Sequence, residues 1–352
     1  MDEKFFAIKP DEKDKRNFKK YSLSQNESTE HSSIDSKVIF NRQIYMYTIV
    51  FPAIKNFGME KSYHYILDNI VRPYHFHNGN LIWDEVAAYD FKCWNKFEVM
   101  DLPRLVSLLK SLGRWHGSVM AFRHRKPKEF EFLCEKLYNT LSIFFSSKDI
   151  LKTIAKYFGR VLGMLKKVKR FDLVQKYEKK FGTLGNILVE SVVRHPVISF
   201  HADCWVNNIV FNTECLNSSI KEKMYFNSFH LSMTDSPIRD ISYLIYCYID
   251  KNSLDDFDFL LHAYHSELTT TIAKLGDDPD EIFPFKEFKR EWRKYGMFGL
   301  VMMLFEVFDE SEVYTYNDEK KKDDVEVNDD EVLWRYNERV IKCFIQFGEN
   351  FL

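Results

Sequence analysis

The stretch His201-Ala202-Asp203-Cys204-Trp205-Val206-Asn207-Asn208 decides how this chain is read. It follows the apolar run Val197-Ile198-Ser199-Phe200 and precedes a second, Ile209-Val210-Phe211. Each run is short and apolar enough for a buried strand. Two fixed strand ends then hold an irregular loop that presents the Asp203 carboxylate and the Asn208 amide close together. Phosphoryl transfer asks for that pair: a carboxylate takes the proton of an attacking hydroxyl, and an amide oxygen helps hold a magnesium ion. His201 would orient the loop through hydrogen bonds. As a bare pattern, H-x-D-x-x-x-x-N also describes a turn in which Asp203 caps a neighbour and Asn208 sits in a tight bend.

Upstream, residues 4–9 read as a short strand ending on Lys9, and 10–32 as a charged loop or frayed helix. Ser33 or Asp35 can cap a helix whose broad apolar face runs to Phe51-Pro52. Residues 62–72 leave strand and helix both open. After the turn signal Asn78-Gly79, residues 80–86 read as a buried strand ending on the acids Asp84 and Glu85. Leu105, Leu108, Leu109, Leu112, Trp115 and Val119 give residues 102–122 a helical period, and more helix follows over about 128–192. Met224-Tyr225-Phe226 is a third short strand, and helices return from Asp240. The charged run 309–331 reads as a solvated loop or insertion, and 332–347 as a closing amphipathic helix. Strands and helices do not alternate, which favours a two-lobed α+β enzyme over a doubly wound parallel sheet.

The segment FHADCWVNNIVF, 200–211, resembles the catalytic loop of the ecdysteroid kinase-like, or choline-kinase-like (CHK), family, which reads HGD-x-W-x-x-N before an apolar strand. That family belongs with the aminoglycoside and choline phosphotransferases, relatives of the protein kinases. Residues 226–246 resemble its D-F-Q strand and D-L-x-Y helix start, with Phe229, Pro237, Asp240 and Tyr243 in step. FNRQIYMYTIVFP, 40–52, resembles its glutamate helix, LIWDEVAAYDF, 81–91, its hinge, and LKSLGRWHGSVMAF, 109–122, its L-A-x-x-H-A helix. FFAIKP, 5–10, resembles the strand that brings the nucleotide-contacting lysine, here Lys9. The likeness runs in order along nearly the whole chain. It implies a protein-kinase-like fold with a reduced N-terminal lobe over 1–86 and a mainly helical C-terminal lobe over 87–352. It also implies ATP, Mg2+ and a small alcohol acceptor, steroid-like or choline-like. Asp203 would be the base, with His201 beside it. Asn208 and the Ser228 position would hold metal, and Asp240 would buttress the loop. Lys9, Gln43 and the hinge at Asp84 and Glu85 would hold the nucleotide, the hinge through backbone groups.

Four departures from the family pattern bear on activity. Ser228 stands where the family has its main magnesium carboxylate, and a neutral hydroxyl is a weak ligand for that hard cation. Gln43 replaces the glutamate that pairs with the lysine. Ala202 replaces a glycine, closing off the easiest positive-φ conformations. Few residues precede Lys9, so the phosphate-covering strands are expected to be absent, through a shortened chain or a reduced lobe. Together they set a non-catalytic pseudokinase, binding a ligand or partner, beside the phosphotransferase. Several residues also have plain readings: His116 as a packed, hydrogen-bonded core histidine, Asp240 as a first-turn helix acid, Asp84 and Glu85 as strand-end charges, and His75 and His77 as an H-x-H without a third zinc ligand.

The bulk numbers agree. Hydrophobic residues at 45% specify a packed globule, and 16% aromatic residues give a core of large flat side chains. A net charge of −2 does not ask for a nucleic-acid partner. The scattered cysteines lack metal or disulfide spacing and fit a reducing compartment. A charged N-terminus without an apolar core, and the lack of a long apolar run, lead us to expect a cytoplasmic protein with no membrane span.

Overall fold

The computed structural model describes residues 36–71, 75–77, 80–82, 92–93, 99–189, 193–199, 208–216, 219–227, 229–308 and 329–352. The expected strand at 4–9, the turn Asn78-Gly79 and the charged run as far as 328 lie outside the described residues. Helix α1, Ser36–Tyr45, continues through a π turn, Met46–Val50, into α2, Phe51–Glu60. The sequence pattern ends this helix at Pro52, and the structure corrects that. Pro52 occupies the first turn of α2, where a missing N–H matters least, and the wider π turn before it accommodates the proline ring.

Among the described residues the strands make three small sheets. β1, His75–His77, and β2, Asn80–Ile82, form a hairpin. β3, Lys92–Cys93, pairs with β5, Ile209–Leu216, which pairs with β6, Ser219–Phe226, all antiparallel. β4, Val197–Ile198, pairs antiparallel with β7, Thr234–Asp235. β5 and β6 extend well beyond the apolar runs that announce them, because a hairpin ladder is closed by backbone bonds and tolerates polar side chains. Residues 69–71 fasten to β6: the Val71 N–H donates to the Phe226 carbonyl (3.0 Å) and the Phe226 N–H to the Asn69 carbonyl (2.8 Å).

The body is helical. α3, Leu102–Arg125, starts at Asp101, whose side chain accepts the Arg104 N–H, and runs alongside α9, Phe257–Lys274. Gly113 and Gly117 let the two backbones approach: a Cβ on either would lie 2.7 Å from the Tyr264 carbonyl or 2.6 Å from that of Leu268. α8, Pro237–Tyr248, is buried along its whole length and packs on α12, Met297–Phe308. Short helices α4, Pro127–Cys134, α5, Leu141–Ser146, and α10, Pro279–Ile282, connect the longer ones, and α6, Lys148–Lys167, α7, Phe171–Val189, and α13, Asp329–Asn350, meet through Phe158, Tyr177 and Phe344. The closing helix thus begins three residues before the expected 332 and includes the end of the charged run. The high aromatic content goes into ring-on-ring packing of this kind. Cys134, Cys247 and Cys343 are reduced thiols outside any disulfide, and burial pushes that of Cys343 up to about 12. The fold is α+β, mostly helical with a few small sheets. Among the described residues no helix is long and apolar enough to cross a membrane.

Candidate functional site

The residues that flank positions 200–207 on both sides are fixed. At the entry, Val197 lies opposite Asp235 and Ile198 opposite Thr234, and the Ser199 N–H donates to the Met233 carbonyl at 2.8 Å. The Trp115 indole N–H donates to the Ile198 carbonyl at 2.6 Å. At the exit, Asn208 is buried, and its carbonyl accepts the Asn227 N–H at 2.9 Å, prolonging a ladder in which Ile209 faces Phe226. His201 and Asp203 lie outside the described residues, as does Ser228. Asn208, however, sits directly across from Asn227, the neighbour of Ser228.

Phe229, the residue after Ser228, is fully buried. Its ring stands edge-on to Tyr47 (5.5 Å) and to Phe51 (4.9 Å), and Phe51 is edge-on to Trp115 (5.3 Å). This aromatic chain connects the α1–α2 helix to the segment around Ser228 and to the helix that holds the loop entry. Gln43 is half-buried on α1, one turn before Tyr47. Its neighbour Arg42 is buried, donating to Thr140 Oγ1 (3.1 Å) and the Tyr138 carbonyl (3.3 Å). Lys9, Asp84 and Glu85 lie outside the described residues.

Asp240 is fully buried in the first turn of α8. His116 Nε2 lies 3.2 Å from its Oδ2, and His116 Nδ1 lies 2.8 Å from the Tyr264 hydroxyl. His116 is therefore a packed, hydrogen-bonded core residue, as its plain reading has it, and its partner is the aspartate the loop motif points to. Among the described residues no three His, Cys, Asp or Glu side chains are grouped to hold a metal.

A model of the ecdysteroid kinase-like family matches residues 8–277. The chain belongs to the ecdysteroid kinase-like family. No curated protein and no solved structure matches it. The matched span reaches from the Lys9 segment through the loop to just beyond α9, so the ecdysteroid kinase-like likeness includes every site position named from the sequence.

Sequence reasoning missed a second buried network in this ecdysteroid kinase-like chain. Asp235 Oδ1 accepts the Ser236 N–H (2.7 Å) and lies 2.9 Å from Arg239 Nε. Burial raises the Asp235 carboxyl to about 6, against the pull of Arg239. This carboxyl group thus serves the N-terminus of α8. Glu291, on α11, Phe285–Tyr295, accepts the Ser236 hydroxyl at 2.7 Å and pairs with His195 Nδ1 at 2.7 Å. One carboxylate thus links the segment entering β4 to the cap of the helix that carries Asp240. The i, i+4 spacing of Asp235 and Arg239 was the available signal for the first pair. Nothing local announces Glu291, because its partners lie 55 and 96 residues away. His230 is half-buried, and desolvation, then the nearby Arg42, lowers its pKa to about 4.

Proposed function

We propose that this ecdysteroid kinase-like protein takes ATP in a two-lobed cleft, residues 1–86 against 87–352, and phosphorylates the hydroxyl of a small apolar alcohol, steroid-like or choline-like. The observation that supports it best is the Asn227 N–H to Asn208 bond. Together with the Ser199–Met233 bond, it brings the exit of the Asp203 loop beside the neighbour of Ser228 and anchors the loop's entry. In this reading Asp203 accepts the acceptor's hydroxyl proton as its oxygen attacks the γ-phosphorus and ADP leaves. His201 orients the loop, and Asp240, held by His116, supports it from behind. Lys9 contacts the phosphates, Gln43 hydrogen-bonds Lys9, and backbone beside Asp84 and Glu85 holds the adenine. Asn208 and Ser228 offer an amide oxygen and a hydroxyl with no carboxylate, a poor fit for magnesium. The proton and phosphoryl movements are therefore assigned to protein groups.

That same serine favours a second reading, a pseudokinase that binds a ligand or partner without turnover. Thermal melting of the purified chain with ATP, with magnesium and with both tests the proposal, since a ligand bound only to the folded state raises the midpoint. Stabilisation by ATP together with phosphate transfer to an alcohol is the expected result. Stabilisation without transfer to any acceptor assigns the pseudokinase reading. No shift under any condition rejects the phosphotransferase reading and leaves the ligand- or partner-binding pseudokinase.

A further inference from the structure

The near-neutral charge of the whole chain conceals an uneven distribution. Residues 148–171 carry eight Lys and Arg against one acid, Asp149, a formal +7 in a chain of net −2. Helix α6 sorts these charges. Its buried side carries Ile154, Tyr157, Phe158, Val161 and Leu165. Lys148, Lys152, Lys156 and Arg160 recur every fourth residue on the opposite, exposed side. Gly159 and Gly163 lie on that side too, with open space around them, so no bulky side chain stands off from the lysine row.

The helix ends in a turn that adds apolar groups to the charge. Lys169 adopts the left-handed conformation, φ 61°, that more often falls to glycine or asparagine after a helix. Beside it, Val168 is 50% and Phe171 58% exposed. Lys166, Lys167 and Lys169 are exposed around them and make no ion pair among the described residues. Arg170 is different: it is already engaged by Asp172 (2.9 Å) and Glu349 (2.6 Å).

We propose that this turn and the outer face of α6 dock on an anionic lipid bilayer. Lysines meet the headgroups, and Val168 and Phe171 enter the interfacial layer. Charge complementarity selects an anionic partner and disfavours a second copy of the same +7 face. The two exposed apolar side chains among unpaired lysines select a bilayer over a nucleic acid, since they match an interface that is apolar below and charged above. The docking is peripheral, requires no membrane span and is independent of the phosphotransferase reading.

The test is flotation of the full chain with phosphatidylcholine vesicles, with and without phosphatidylserine. Binding is expected only to the anionic vesicles and is expected to weaken as salt is raised. The triple variant Lys166→Gln, Lys167→Gln, Lys169→Gln should bind about 100-fold more weakly, at roughly fivefold per lysine. Val168→Ser with Phe171→Ser should also weaken binding at constant charge. All five positions are exposed, so the variants should melt like the parent. The proposal is overturned by absent binding to anionic vesicles, or by binding that neither variant changes. It is equally overturned if a duplex oligonucleotide, or a peptide of residues 309–328, binds this face while vesicles do not.

Discussion

Trp115 donates its indole N–H to the carbonyl of Ile198 at 2.6 Å, with both residues fully buried. The middle of α3 is thereby bonded to β4, the strand that precedes Asp203 in the sequence. Trp115→Phe keeps most of the packing but leaves a buried carbonyl unpaired. Denaturant unfolding should show a loss of about 1–3 kcal/mol. Amide exchange should rise first at 197–199. A change below about 0.5 kcal/mol would mean the bond contributes little.

Glu291 should behave as a positioning residue. Glu291→Ala strands the Ser236 hydroxyl and the His195 ring in a buried setting. A loss of about 2–4 kcal/mol is expected. Exchange should rise at both 193–199 and 236–240, which no single local break would produce. Glu291→Gln, which retains one acceptor, should recover part of the loss.

Two glycines should respond in opposite directions to the same methyl group. In Gly117→Ala the new Cβ meets the Leu268 carbonyl at 2.6 Å, so α3 and α9 must separate, at a cost of about 1–3 kcal/mol. Gly159→Ala points into open space on α6 and should stabilise by about 0.5–1 kcal/mol. Equal effects at the two sites would contradict the close α3–α9 approach.

His230 and Asp235 oppose each other in acid. The folded pKa of His230 is depressed from 6.5 to about 4, so its contribution is present above pH 6.5 and is lost as pH falls toward 4. The folded pKa of Asp235 is raised from 3.8 to about 6, so its contribution is present below 3.8 and is lost as pH rises to 6. Each contributes up to about 3 kcal/mol. His230→Gln should therefore leave a chain that gains stability on acidification from pH 6 toward 4, relative to the parent. Parallel unfolding curves for parent and variant across that range would refute this.

Ser228→Asp restores a carboxylate beside Asn227, opposite Asn208. If the proposed cleft is right, ATP should stabilise the variant more strongly with magnesium than without, by a margin the parent lacks. Identical ATP and magnesium responses in parent and variant would remove Ser228 from the nucleotide site.

The sequence by itself determined the family, the α+β class, the helix at 102–122 and the two strand runs that bracket His201 to Asn208. Those signals are local: periodic apolar residues, a fixed motif spacing, and family patterns in order along the chain. Only the tertiary structure decided that α1 runs on past Pro52, since a π turn is a backbone adjustment no composition encodes. It also decided that His116 meets Asp240, that Phe229 is held between Tyr47 and Phe51, and that Glu291 joins His195 to Ser236. These contacts join residues dozens to nearly two hundred positions apart. A buried polar atom takes whichever partner the packed helices bring to it, so its partner is set by packing and not by its neighbours in the chain.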